Sequence, residues 1–176
     1  MSTIDSLYLY DPEFETVARA YAGENSSSES WAVKSIQDLK DAGNAYTSVK
    51  FLMFMVHGLP GKLVLQSGGQ IYGFQGLFEN TAFVQPEARV LFASCCVGAG
   101  DEGDKFMDSA GKYVLGGKGG FVGASTVKNG VFMLPFANGP FMVPLSFGRL
   151  KVKHYDGQGN VVGSRMVDRH GIQRSH

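Results

Sequence analysis

Val49-Lys50-Phe51-Leu52-Met53-Phe54-Met55-Val56-His57-Gly58 is a largely apolar run that stops at a titratable residue followed by glycine. A second run, Arg89-Val90-Leu91-Phe92-Ala93, stops at Ser94-Cys95-Cys96. Apolar runs of this length, closed by glycine or small residues, read as strands buried on both faces, the pattern of parallel strands in an α/β sheet. Reacting groups in such sheets collect beyond the carboxyl ends of the strands, so His57 and Cys95 are expected side by side at one rim.

That pairing supplies what a thiol nucleophile needs. A thiol with an ordinary pKa of about 8.5 is only slightly ionised at neutral pH, and a neighbouring imidazole that takes the proton raises the reactive fraction. The backbone N–H of Gly58 and that of Cys95 are placed to form an oxyanion hole, where one lost donor typically costs roughly 100- to 1000-fold in rate. The chemistry implied is acyl transfer.

An apolar strand ending in His-Gly, a spacer, and an apolar strand ending in small-residue-Cys resembles the caspase-like superfamily, which includes metacaspases, legumain, gingipains and separase. Val56-His57-Gly58-Leu59-Pro60-Gly61-Lys62-Leu63-Val64-Leu65 followed by Cys95-Cys96-Val97-Gly98-Ala99-Gly100 is most similar to a bacterial branch of such domains, with the resemblance running from about Leu7 to Ser125. It implies a three-layer α/β sandwich, a mainly parallel central sheet flanked by helices. It implies a cysteine endopeptidase that cleaves a polypeptide through a His57/Cys95 dyad and a thioester acyl-enzyme, without a cofactor. It also places the strand ending at Ser125 beside the pocket for the residue before the scissile bond. The Gln-Ala-Cys-Arg-Gly form of caspases is absent, so cleavage after Asp is not implied. Asp11, at the end of the first strand, and Asp101, with Glu102 and Asp104 after the cysteines, instead suit a basic side chain.

The rest of the chain follows from local signals. Ser6 to Tyr10 reads as a first strand, and Pro12 opens a helix reaching Gly23. Asn25 to Ser30 reads as a polar loop, and Ser30 as the cap of a helix carrying Trp31, Val33, Ile36 and Leu39 up to Gly43. Lys62–Leu65 and Gln70–Phe74 form a hairpin around Ser67-Gly68-Gly69, which lacks the residues of a nucleotide loop. Gln75 to Asn80 is expected as a short helix, and Pro86 as a break before the cysteine strand. Asp101 to Leu115 reads as a helix and Gly119 to Ser125 as a buried strand. Leu150–Tyr155 and Asn160–Val167 form an antiparallel hairpin with one wet face, ahead of a polar ending. A single domain over 1–176 is expected, with a core at about 6–128 and a C-terminal hairpin extension at about 146–168. The apolar, proline-broken segment 132–147 is a candidate surface for a partner or a second copy.

Composition narrows the function. Of the 176 residues, Lys plus Arg number 16 and Asp plus Glu 16, so no net field favours nucleic acid or an anionic membrane. Two adjacent cysteines build neither a disulfide framework nor a familiar zinc spacing, which suits a reducing compartment and leads to an expectation of no metal among the Cys and His residues. The N-terminus lacks the basic-then-apolar pattern of a signal peptide, which points to the cytoplasm.

Two other functions fit these residues. Ser94-Cys95-Cys96-Val97-Gly98 also reads as small-x-nucleophile-x-small, so a thiol esterase of the α/β-hydrolase kind would use Cys96, with Asp156 and His170 completing a triad. The domain could equally serve as a non-catalytic interaction module. His154, on an alternating hairpin, reads as a surface residue.

Overall fold

The computed structural model describes residues 1–23, 25–127 and 149–167, together with the backbone of 133–134, 143–144 and 173–174. Its strands and helices in chain order, apart from isolated two-residue strands such as the Ser2–Thr3 and Tyr46–Thr47 pair, are β1 (Ser6–Tyr10), α1 (Glu15–Gly23), β2 (Ser28–Ala32), α2 (Ile36–Ala45), β3 (Val49–Met55), β4 (His57–Leu59), β5 (Lys62–Val64), β6 (Gln70–Ile71), β7 (Val84–Phe92), α3 (Gly100–Tyr113), β8 (Gly120–Ser125), β9 (Leu150–Tyr155) and β10 (Val161–Val167). The chain is α/β, with a large mixed sheet ordered β2-β1-β3-β7-β8-β9-β10 and a two-residue strand, Gln173–Arg174, beyond β10. The first five in that row are mutually parallel and the C-terminal hairpin adds antiparallel strands.

Alternation within each apolar run explains why the sheet is covered on both sides. Leu7, Leu9, Leu52, Phe54, Val90, Phe92, Val122 and Ala124 face one core, which Leu39 of α2 and Phe106, Met107 and Ala110 of α3 complete. Tyr8, Tyr10, Phe51, Met53, Met55 and Leu91 face the other, closed by Ala18 and its neighbours on α1. Phe92 stacks on Phe54 at 4.7 Å and meets Phe106 edge-on at 4.9 Å, tying β3, β7 and α3 together. Burying each such ring contributes roughly 1.5–3 kcal/mol.

The order of the parallel strands reverses between β1 and β3, which leaves a crevice at their carboxyl ends. From β3 the chain passes into a small antiparallel sheet, β4-β5-β6, before returning to the large sheet as β7. The expected hairpin is thus present, with His57–Leu59 as an added third strand.

Four local expectations change. Residues 28–32 form an edge strand beside β1, so Trp31 lies in a strand and packs edge-on against Tyr46 at 5.8 Å. The cap of α2 is Ser35, not Ser30: the Ser35 hydroxyl accepts from Asp38 N–H, and Asp38 accepts from Ser35 N–H. Pro86 lies inside β7, accommodated by an irregularity in its pairing with β3 and by a positive φ of 58° at Glu87. Gln75 to Asn80 is turn rather than helix, because the Asn80 amide donates to the Gly43 and Tyr46 carbonyls, bonds that fix it to the end of α2.

In the C-terminal hairpin, expected to have one wet face, β10 is largely exposed but β9 is covered on both sides. Lys151, Lys153 and Tyr155 of β9 point at α3, where Asp104 and Asp108 stand one turn apart. Lys153 is only 7 % exposed. Its ammonium lies 2.9 Å from Asp104 and 2.8 Å from Asp108. Burial opposes ionisation of Asp104, but its bonds to Lys153 and Lys151 outweigh that and hold its carboxyl below the usual range. Burial, with the bond to Asp108, pushes the Tyr155 hydroxyl far up. Most of segment 132–147 and of 168–176 lies outside the described residues.

Candidate active site

His57 is delivered by a change of sheet. Val56 is buried at 2 % exposure and belongs to neither strand, after which His57 pairs with Val64 and Gly58 with Leu63 in the small sheet. The cysteine loop leaves β7 one position along, where Ala93 N–H donates to the Phe54 carbonyl at 3.0 Å. The two strand ends therefore lie against each other. A Cβ on Gly58 would stand 2.8 Å from Ser94 Cβ, closer than real Cβ atoms come, and a tight 3.0 Å from the Cys95 carbonyl oxygen, so the approach favours glycine.

The loop is gripped from both flanks. Towards β8, Cys96 N–H donates to the Val127 carbonyl at 2.7 Å and Gly98 N–H to the Ser125 carbonyl at 2.8 Å. Towards the small sheet, Gly61 N–H donates to the Val97 carbonyl at 3.0 Å, and the Gly61 turn packs on the Glu102 backbone. Both cysteines are thiols, but they differ in access: Cys95 is partly exposed, whereas Cys96 is 5 % exposed and has a positive φ of 44°. Ser94 is 1 % exposed, and its hydroxyl has no hydrogen-bond partner among the described residues.

Sequence reading missed Glu13. Its Oε2 lies 2.8 Å from His57 Nε2, while the Phe14 ring rests 5.2 Å from the imidazole. Asp-Pro-Glu at the end of β1 is the signal that could have revealed it. Asp11 accepts from Glu13 N–H at 3.0 Å and so shapes the 3-10 turn Pro12–Phe14 that holds Glu13 out towards His57. A carboxylate only accepts, so Nε2 carries the hydrogen in this contact, and in the neutral ring the lone pair then lies on Nδ1.

Of the three expected pocket residues, only Asp101 is open to solvent, on the first turn of α3. Asp11 is 3 % exposed and Ser125 2 %, with the Ser125 hydroxyl turned onto Val127 of its own chain. Asp104 is engaged by β9, and Glu102 pairs with Lys105 at 3.0 Å. The triad of the esterase reading is not assembled. Asp156 follows Tyr155, which pairs with Gly120 at the start of β8, so it lies at the opposite rim from the cysteines and binds Gln158 and Asn160 N–H. His170 lies outside the described residues.

The expectation of no metal weighed only Cys and His spacing. The fold instead brings His57 together with two carboxylates, Asp11 and Glu13. Comparison with known protein families, with curated proteins and with solved structures finds no match to this chain.

Proposed function

We propose that this chain is a cysteine endopeptidase of the caspase-like kind, with Cys95 as nucleophile and His57 as general base, acting on a polypeptide. The observation that carries the reading is the close seat of Gly58 on Ser94 and Cys95, which brings the strand bearing the imidazole onto the loop bearing the thiol. The strand order, with five parallel strands followed by an antiparallel sixth, and helices on both faces supports the three-layer sandwich. Cys95 is favoured over Cys96 because it is the accessible thiol.

The chemistry follows from the proton positions. His57 Nδ1 takes the Cys95 proton as sulfur attacks the scissile carbonyl carbon, and Glu13 steadies the imidazolium that results. Gly58 N–H and Cys95 N–H receive the developing oxyanion. The proton on His57 then passes to the leaving amine, and water, activated by the same imidazole, hydrolyses the thioester. Asp101 is the wall that would favour a basic residue before the cut.

The test uses a peptidyl acyloxymethyl ketone that labels active thiols. Wild type and Cys96→Ala are expected to label, whereas Cys95→Ala and His57→Ala are not. Retained labelling in Cys95→Ala removes the assignment. Among the described residues no helix is long and apolar enough to cross a membrane; we read the chain as cytoplasmic.

A further inference from the structure

The crevice where strand order reverses holds more than a base. One oxygen each from Asp11 and Glu13 and a ring nitrogen of His57 all lie within 4.8 Å of one another. Asp11 is 3 % exposed, and among the described residues no Lys or Arg forms an ion pair with it. A buried carboxylate is stable when a cation faces it, because an ionised oxygen taken from water unpaired carries a large desolvation cost. Among the described residues the Asp11 carboxylate accepts one bond, from Glu13 N–H, and has lone pairs beyond it.

We propose that Asp11, Glu13 and His57 form a site for a borderline divalent transition-metal ion, Zn²⁺ being the model, and that its occupation switches off the Cys95 thiol. An imidazole nitrogen with two carboxylates suits Zn²⁺ over Mg²⁺ or Ca²⁺, which take all-oxygen shells. Three protein ligands leave the fourth tetrahedral position for water. At bond lengths of about 2.1 Å, tetrahedral ligands stand about 3.4 Å apart. The Glu13–His57 separation of 2.8 Å needs only slight opening, and exposed Glu13 is free to rotate, while Asp11 is anchored by its own N–H on the Met55 carbonyl at 2.9 Å.

The inhibitory half rests on the dyad of the preceding section; the binding half does not. The metal takes the lone pair of Nε2, and the hydrogen that Nε2 directs at Glu13 transfers through solvent to Nδ1. The ring stays neutral, but its only free nitrogen now carries hydrogen and accepts nothing from Cys95. The thiol remains protonated, and no oxidant or reductant is involved.

The experiment measures Zn²⁺ binding to the chelator-stripped full chain by competition with a chromophoric chelator, and Co²⁺ binding by visible absorption. One equivalent is expected to bind wild type and Cys95→Ala alike, at least tenfold more weakly in Glu13→Gln and in Asp11→Asn. Glu13 is exposed, so that variant is expected to fold even where loss of the Asp11 cap disturbs the turn. Absence of saturable binding overturns the proposal. So does equal binding in Glu13→Gln, or a thiolate-to-cobalt charge-transfer band that disappears in Cys95→Ala. Zn²⁺ is also expected to slow iodoacetamide alkylation of Cys95 in Cys96→Ala at least tenfold, reversibly on chelation. Zn²⁺ bound with no change in alkylation rate overturns the switch. A Cys95 that resists alkylation in the stripped protein refutes the dyad while leaving the binding result intact.

Discussion

Glu13 and His57 meet at 2.8 Å across the point where the order of the parallel strands reverses, so the turn that follows β1 orients a group that β4 carries. Glu13→Gln keeps the shape but weakens the charge that steadies the imidazolium. In metal-free buffer kcat against a peptide is expected to fall about tenfold with KM nearly unchanged, the size suited to a solvent-screened partner. Steady-state kinetics check the split, and Glu13→Ala should lose no less.

Gly58→Ala places a methyl group against Ser94 Cβ and the Cys95 carbonyl. Overpacking of this kind costs about 1–3 kcal/mol, and the displaced loop separates thiol from imidazole. Alkylation of Cys95 should slow about a hundredfold while circular dichroism stays native below the lowered melting temperature.

Ser35→Ala removes the hydroxyl that caps α2 and should cost about 1 kcal/mol, read by urea unfolding. Ser30→Ala, in an edge strand, should change stability by less than about 0.5 kcal/mol. The reverse ranking would restore the helix start first expected at Ser30.

The Asp104 carboxyl is held below its usual range, so its ion pairs contribute stability that is fully present above an unfolded-state pKa of about 3.9 and lost as pH falls through the lower folded value. Asp104→Asn should cost about 1 kcal/mol at pH 7, modest because the carboxylate is 41 % exposed. The variant should also lose less stability than wild type between about pH 4 and 2, measured by thermal melts across pH.

Long buried strands were readable in the sequence because one dominant force shaped them. Val49 to Met55 had to be covered on both faces, and Gly120 to Ser125 likewise. Short edge elements were not readable, since their identity depends on a distant partner. Ser28 to Ala32 is polar enough to pass for a loop and becomes a strand only because β1 has an unpaired side. Pro86 signalled a break, yet a bulge absorbed it. At the candidate site, the approach of the His57-Gly58 strand end to the Cys95 loop was legible because both follow buried parallel strands. Glu13 was hidden because its role arises from a turn between Asp11 and Phe14 that aims it across the rim. The lysines of β9 looked solvated until Asp104 and Asp108, 47 and 45 residues earlier, supplied their counter-charges.

The Asp156–Asn160 turn lies at the rim opposite Cys95, and it is stitched by Asp156 to its own backbone. A reporter fluorophore or a fused domain spliced between Gly157 and Gln158 would thus hang from the far end of the molecule, giving a handle for immobilisation that leaves the rim bearing Cys95 unobstructed.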